Sequence, residues 1–183
     1  NIDRCINCKR CVRICTEVQG VSALGIARRG KDSVPVPFMD RELDCEFCAH
    51  CIWTCPVGCL MSRPARHIAR TWEMQKVATV CPMCSVGCVL DYNCRGEKVL
   101  KVSHNESAGV NDGSLCAKGY FGYDIINHPE RITRPMVRRD GNLQETSWED
   151  ALGFVAERFG RISDGGNGDS VGGIVSVRTP NEE

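Results

Sequence analysis

Cys5, Cys8, Cys11 and Cys15 form a C-x2-C-x2-C-x3-C run, and the same run returns 40 residues on as Cys45, Cys48, Cys51 and Cys55. Three thiolates this close can reach three corners of one four-iron cubane only if the backbone curls around it, so the fourth must come from elsewhere in the chain. In such paired runs the fourth cysteine serves the neighbouring cluster. The expected sets are therefore Cys5, Cys8, Cys11 and Cys55 for one cubane, and Cys45, Cys48, Cys51 and Cys15 for the other. Pro56 follows the last cysteine of the second run as the pattern prefers, whereas Thr16 stands at that place in the first. A cubane bound by four thiolates keeps a net negative charge, and curled loops offset its burial by aiming backbone N–H groups at sulfur.

A third constellation, Cys81, Cys84 and Cys88 with Cys116 further on, falls outside the 40-residue period and implies a separate domain with its own cluster. Gly87 and Gly113 are placed to supply the positive φ that a chain reversing around a metal needs. Two rival chemistries share these residues. Disulfides are disfavoured because cysteines three apart on a tight loop pair poorly and triplets imply a shared centre. Structural zinc usually joins two C-x2-C pairs in a tetrahedron, rather than three cysteines on one loop with a remote fourth. Cys59 and Cys94 read as small core hydrophobes, and His50, His67, His104 and His128 as surface residues or supports around the ligands.

The chain has 23 basic and 23 acidic residues among 183, so it lacks the basic surplus that nucleic-acid binding requires. It contains no apolar run near the roughly 18 to 20 residues needed to span a bilayer. Fourteen cysteines, most of them read as thiolate ligands, call for a reducing compartment, and the expectation is cytoplasmic. The opening at Asn1 without Met, and the close at Asn181-Glu182-Glu183 just after an apolar run, suggest an internal stretch of a longer protein.

These motifs must be held by small elements. Residues 1–64 should form the two-cluster unit, with strand-like segments at 21–27 and 34–38 around the turn at Gly30-Lys31-Asp32. Residues 65–77 lack Gly and Pro and read as a linker with helical spacing. A third-cluster unit over 78–135 carries a predicted hairpin, 86–92 and 99–102, turning at Arg95-Gly96-Glu97. From Met136 a short hairpin leads to Ser147, which should cap a helix with Leu152, Val155, Ala156, Phe159 and Ile162 on one face. Glycine-rich chain then reaches a strand-like run at 172–177, the expected beginning of an α/β layer over 136–183.

Cys81-Pro-Met-Cys-Ser-Val-Gly-Cys88, Asn111-Asp-Gly-Ser-Leu-Cys-Ala-Lys-Gly119, His128-Pro-Glu-Arg-Ile-Thr-Arg-Pro-Met136 and Ser147-Trp-Glu-Asp-Ala-Leu152 together resemble the amino-terminal part of molybdopterin-dependent oxidoreductases. With the two-cubane unit in front, the chain looks like the alpha subunit of an NAD-linked formate dehydrogenase. The resemblance implies an α+β architecture: a double-cluster ferredoxin-like domain, a small four-iron-cluster domain, then the start of a molybdopterin-binding α/β domain. It implies three 4Fe-4S clusters and a molybdenum or tungsten bis(molybdopterin guanine dinucleotide), with Lys118 bridging the third cluster and a pterin. It further implies flavin/NAD-binding and ferredoxin-like partner subunits, and formate as the substrate of the complete enzyme. The metal-binding cysteine or selenocysteine and the His and Arg that handle formate fall beyond residue 183, so no catalytic residue is assigned. Two alternatives share the architecture. One is the large iron–sulfur subunit of complex I, the NADH-quinone oxidoreductase; its version of the unit loses the cluster that Cys15, Cys45, Cys48 and Cys51 would hold here. The other is a pure relay subunit of a hydrogenase or electron-bifurcating complex.

Overall fold

Two non-glycine residues in each cysteine run adopt left-handed backbone angles, and they set the local structure of both runs. A computed structural model describes residues 1–165 and 168–176. Asn7 and Lys9 have φ of 56° and 59°, and their counterparts 40 residues on, Phe47 and Ala49, have 51° and 63°. Alternation of right- and left-handed residues turns successive N–H groups to the inside of the curl. Each run then passes into a single helical turn, α1 (Arg10–Arg13) after Lys9 and α2 (His50–Trp53) after Ala49. The first turn continues into a wider π-helical turn, Ile14–Val18, which carries Cys15.

Between the runs, β1 (Leu24–Ala27) and β2 (Val34–Pro37) pair antiparallel, with Leu24 opposite Pro37 and Ala27 opposite Val34. Both strands lie within the spans expected for them. The linker departs from its expected helical form. It contains one 3₁₀ turn, Thr71–Glu73, whose Glu73 carboxylate accepts from the Arg70 N–H at 2.6 Å, and it then enters β3 (Gln75–Val80). The absence of Gly and Pro removed only the obstacles to a helix. Val77, Thr79 and Val80 are β-branched, and pairing with a neighbouring strand satisfies their backbone.

That neighbour is β4 (Val89–Arg95), the central strand of an antiparallel sheet ordered β3-β4-β5, with β5 spanning Lys98–His104. The sheet holds the core of the unit formed by residues 1–127. Leu90, Val99 and Val102 pack with Leu115, Tyr120, Tyr123, Ala49 and Cys81. Leu90 is wholly buried, which by itself favours folding by about 1.5–3 kcal/mol. Asn93, almost wholly buried in the same sheet, donates to Ser103 Oγ at 2.9 Å and to the Asp91 carbonyl at 3.2 Å, so its amide is not stranded. Two short helices follow, α3 (Ala117–Phe121) and α4 (Asp124–Asn127). The Asn127 side chain clamps Val99, accepting from its N–H at 3.2 Å and donating to its carbonyl at 2.6 Å.

Residues 128–177 form a second unit, described here over 128–165 and 168–176. Strands β6 (Met136–Arg139) and β7 (Asn142–Glu145) form the expected hairpin. Helix α5 (Trp148–Asp164) begins as read, with Ser147 Oγ accepting from the Asp150 N–H at 3.0 Å. Its apolar face, Leu152, Val155, Phe159 and Ile162, stays solvent-exposed. The expected strand at 172–177 is not formed over its described part, 172–176, where no other strand pairs with it; Val177 lies outside the described residues.

Candidate metal centres

The cysteines of the first two runs gather in crossed sets. One cavity is lined by Cys5, Cys8, Cys11 and Cys55, with Cys59 beside them, and Ile6, Ile26, Pro35 and Val57 forming its apolar wall. A second is lined by Cys15, Cys45, Cys48 and Cys51, with Ala23, Leu24, Leu43, Phe47 and Phe121 around them. Each cavity thus draws three cysteines from one run and the last cysteine of the other.

In the third constellation the Cys81 N–H donates to the Cys88 carbonyl at 2.8 Å, closing the loop, and Gly87 takes φ of 76° as expected. Asn111 brings the distant cysteine home. Its side chain accepts from the Val89 N–H at 2.8 Å and donates to the carbonyls of Val89 at 3.1 Å and Ser114 at 2.7 Å. Gly113 adopts φ of 75° in this loop. Cys116 then stands immediately before α3, near enough for its charge to act on Cys81 and Cys88. Gly119 leaves room for the sulfur, since a Cβ there would lie 3.5 Å from Cys81 Sγ. Lys118 is exposed on the same helix, and its positive charge opposes the rise that burial imposes on the Cys81 thiol.

The electrostatics suit anionic sulfur at some positions and bare thiol at others. Backbone N–H groups reach Cys15 Sγ from Ala23 at 3.3 Å, Cys45 Sγ from Phe47 at 3.4 Å and Cys55 Sγ from Cys59 at 3.2 Å. At Cys55 burial pushes the thiol up, but the N–H groups of Leu60, Val57, Cys59 and Gly58 outweigh it and hold the pKa below the usual range. Cys51 is pushed up to about 12, first by burial and then by the charges of Cys48, Cys11, Cys15 and Cys45. The helical turns α1 and α2 pack against each other, which makes the two crossed sets neighbours. Burial also raises Cys11, Cys48, Cys81 and Cys88. A metal that replaces the protons removes this penalty, and donor N–H groups aimed at sulfur are what an anionic cluster needs.

All fourteen cysteines are free thiols. Among the described residues no group of three or more His, Cys, Asp or Glu side chains closes around the position of a single ion. A cubane, with an iron at each of four corners, asks for thiolates set wider apart than one tetrahedral ion does. In thiol chemistry, in grouping around two cavities and in backbone donors, the residues of the first two sets fit a four-iron cluster.

Three neighbours of the cysteine sets are placed more closely by the structure than by the sequence reading. Cys59 is a wall of the first cavity as well as a buried residue, and its backbone donates to Cys55. Of the two places expected for the histidines, surface or support around the ligands, His50 takes the second, buried on the wall of the second cavity, and His104 is buried beside it. Trp53 stacks on His104 with ring centres 4.8 Å apart, and His104 lies 5.9 Å from His50 and 5.3 Å from Tyr120. Burial holds both histidines below their ordinary pKa, His104 at about 4.

Three family profiles cover this chain in sequence. Residues 1–61 match the ferredoxin-like domain of NADH-quinone oxidoreductase subunit 3, residues 74–128 the molybdopterin oxidoreductase Fe4S4 domain, and residues 131–183 molybdopterin oxidoreductase. Residues 74–128 and 131–183 thus resemble, in order, the Fe4S4 domain and the following domain of molybdopterin oxidoreductases, each over about a third of the chain. Among its relatives is an NADH-quinone oxidoreductase subunit of Rhizobium meliloti, 43% identical over all of this chain and 21% of the relative. The NADPH-Fe(3+) oxidoreductase subunit alpha of Geobacter sulfurreducens is 35% identical over 99% of the chain and 21% of the relative. NADH-quinone oxidoreductase subunit 3 of Thermus thermophilus is 38% identical over 86% of the chain and 20% of the relative. The chain spans about a fifth of the length of these relatives. Two of these three relatives are named NADH-quinone oxidoreductase subunits, and none of the three is named a formate dehydrogenase. Among the described residues no helix is long and apolar enough to cross a membrane.

Proposed function

We propose that this chain is the electron-relay stretch of a large iron–sulfur subunit of the NADH-quinone oxidoreductase type, carrying three 4Fe-4S clusters. Cys5, Cys8, Cys11 and Cys55 bind the first, Cys45, Cys48, Cys51 and Cys15 the second, and Cys81, Cys84, Cys88 and Cys116 the third. The supporting observation is the crossed grouping of the cysteines around two adjacent cavities, with backbone N–H groups directed at their sulfurs. Four-iron clusters accept and release single electrons, and adjacency of two such sites is what passage between them requires. The chain contributes the thiolates, the N–H donors and, at Lys118, a cation next to the third set that favours the reduced, more negative state. The domain order is 1–64, a linker over 65–77, 78–135 and then the first part of a molybdopterin-type domain. Partner subunits carry flavin and the nicotinamide reaction, in the reducing cytoplasm.

A second reading is kept by one specific observation. All four members of the second set, Cys15, Cys45, Cys48 and Cys51, are present and share a cavity, which favours formate dehydrogenase. There, electrons from formate would enter from a pterin-bound molybdenum or tungsten by way of Lys118. Anaerobic iron and acid-labile sulfide analysis with EPR tests what both readings share, since three cubanes require about twelve of each per chain. Stoichiometric zinc would overturn them both. Assay of the full-length protein for NADH-dependent quinone reduction against formate oxidation separates them.

A further inference from the structure

His50 poses a chemical problem that the cysteine sets alone do not solve. It is 3% exposed, and neither ring nitrogen has a hydrogen-bond partner. A buried polar atom left unpaired costs about 1–3 kcal/mol, and such atoms are rare enough in native proteins to need a reason. The ring is not lost in an apolar core. His50 lines the same cavity as Cys15, Cys45, Cys48 and Cys51. It is the first residue of α2, and its backbone is already directed toward the site, since its N–H lowers the pKa of Cys48.

We propose that His50 donates a ring N–H to a sulfur of the second cluster and thereby raises that cluster's reduction potential. The inference rests on the four-iron reading of this cavity. Cluster sulfurs accept hydrogen bonds and cannot donate them, so the nitrogen facing the cluster carries the proton. Neutral imidazole has one such N–H, and no charge on the ring is needed. A donor to sulfur withdraws electron density and stabilises the reduced cluster, one of the ways proteins set cluster potentials. The first set has no counterpart. At the equivalent place stands Arg10, which is exposed and does not line the first cavity. His50 is thus a positioning and tuning residue that makes two clusters of identical ligand spacing electrochemically different.

The test uses the full-length protein with its clusters in place. In protein labelled with ¹⁵N-histidine, pulsed EPR of the reduced state should detect a histidine nitrogen coupled to one cluster only. In an EPR-monitored redox titration, His50→Phe should lower the midpoint of that cluster and leave the other two in place, with iron content unchanged. His50→Gln, which keeps an N–H donor, should restore part of the shift. Absence of histidine coupling in the wild-type protein overturns the proposal, as do three unmoved midpoints in an iron-replete His50→Phe protein. If His50→Phe loses iron, the coupling in unmutated protein still decides. Low iron in the wild-type protein would instead count against the four-iron reading, so the two failures are distinguishable.

Discussion

The two cysteine runs share a backbone and differ in surroundings. Both place left-handed residues two and four positions after the first cysteine, and both enter a helical turn at the next residue. In the first run the last left-handed residue and its successor are Lys9 and Arg10, both exposed; in the second they are Ala49 and His50, 4% and 3% exposed. Ala49 packs in the core formed with β4, β5 and α3, and the second cavity reaches Phe121 of α3. The difference teaches that a repeated motif can keep one backbone geometry while the residue after its second cysteine faces water in one copy and the interior in the other. The interior copy has a buried imidazole on its cavity wall, and the other has an exposed arginine at the same place in the run.

The largest effects should come from breaking the crossing itself. Cys15→Ser should remove the second cluster and Cys55→Ser the first, each costing about four of about twelve irons per chain by anaerobic analysis, although each mutation lies in the other run. If Cys15→Ser instead emptied its own run's site, the crossed assignment would fail. Next, exchanging the residues that follow the second cysteines should expose the asymmetry. Ala49→Lys buries an unpaired charge and should destabilise by more than about 3 kcal/mol, whereas Lys9→Ala should stay within about 0.5 kcal/mol, as read by anaerobic urea denaturation.

His104 should give the interior side a pH dependence that the exposed run lacks. Its pKa falls from 6.5 to about 4 on burial, so between those values the unfolded chain binds a proton that the folded chain refuses. Stability is therefore retained above pH 6.5 and lost as pH falls toward 4, by up to about 3 kcal/mol. His104→Phe, which keeps a ring against Trp53, should flatten that part of the stability–pH curve. The smallest effect concerns backbone strain. Phe47→Gly should stabilise by about 0.5–1 kcal/mol, because Phe47 is exposed and held at φ of 51°. Asn7→Gly should gain nothing, since asparagine tolerates that conformation and Asn7 also donates to the Lys31 carbonyl at 3.3 Å.

Much of this was legible in spacing. The sets of cysteines that share a cavity, the positive φ of Gly87 and Gly113, the β1–β2 and β4–β5 hairpins and the Ser147 cap all follow from residue type and interval, because each is a local demand. Which of the four histidines would be buried was not, since the burial of His50 and His104 depends on the end of β5 meeting α2, where His104 lies against His50 and Trp53 from some fifty positions away in the chain. The left-handed angles at Phe47 and Ala49 were equally hidden: neither residue type favours them, and only closure around a common centre imposes them. Strand β3 was missed because its partner, not its own composition, decides its form.

The exchange of Cys15 and Cys55 between cavities also governs how this stretch can be divided. No cut between residues 16 and 44 leaves a fragment with a full set of four cysteines in either cavity. Anyone grafting these two cysteine sets into another scaffold must move the opening sixty residues as one piece, and neither half can be a starting point for the other.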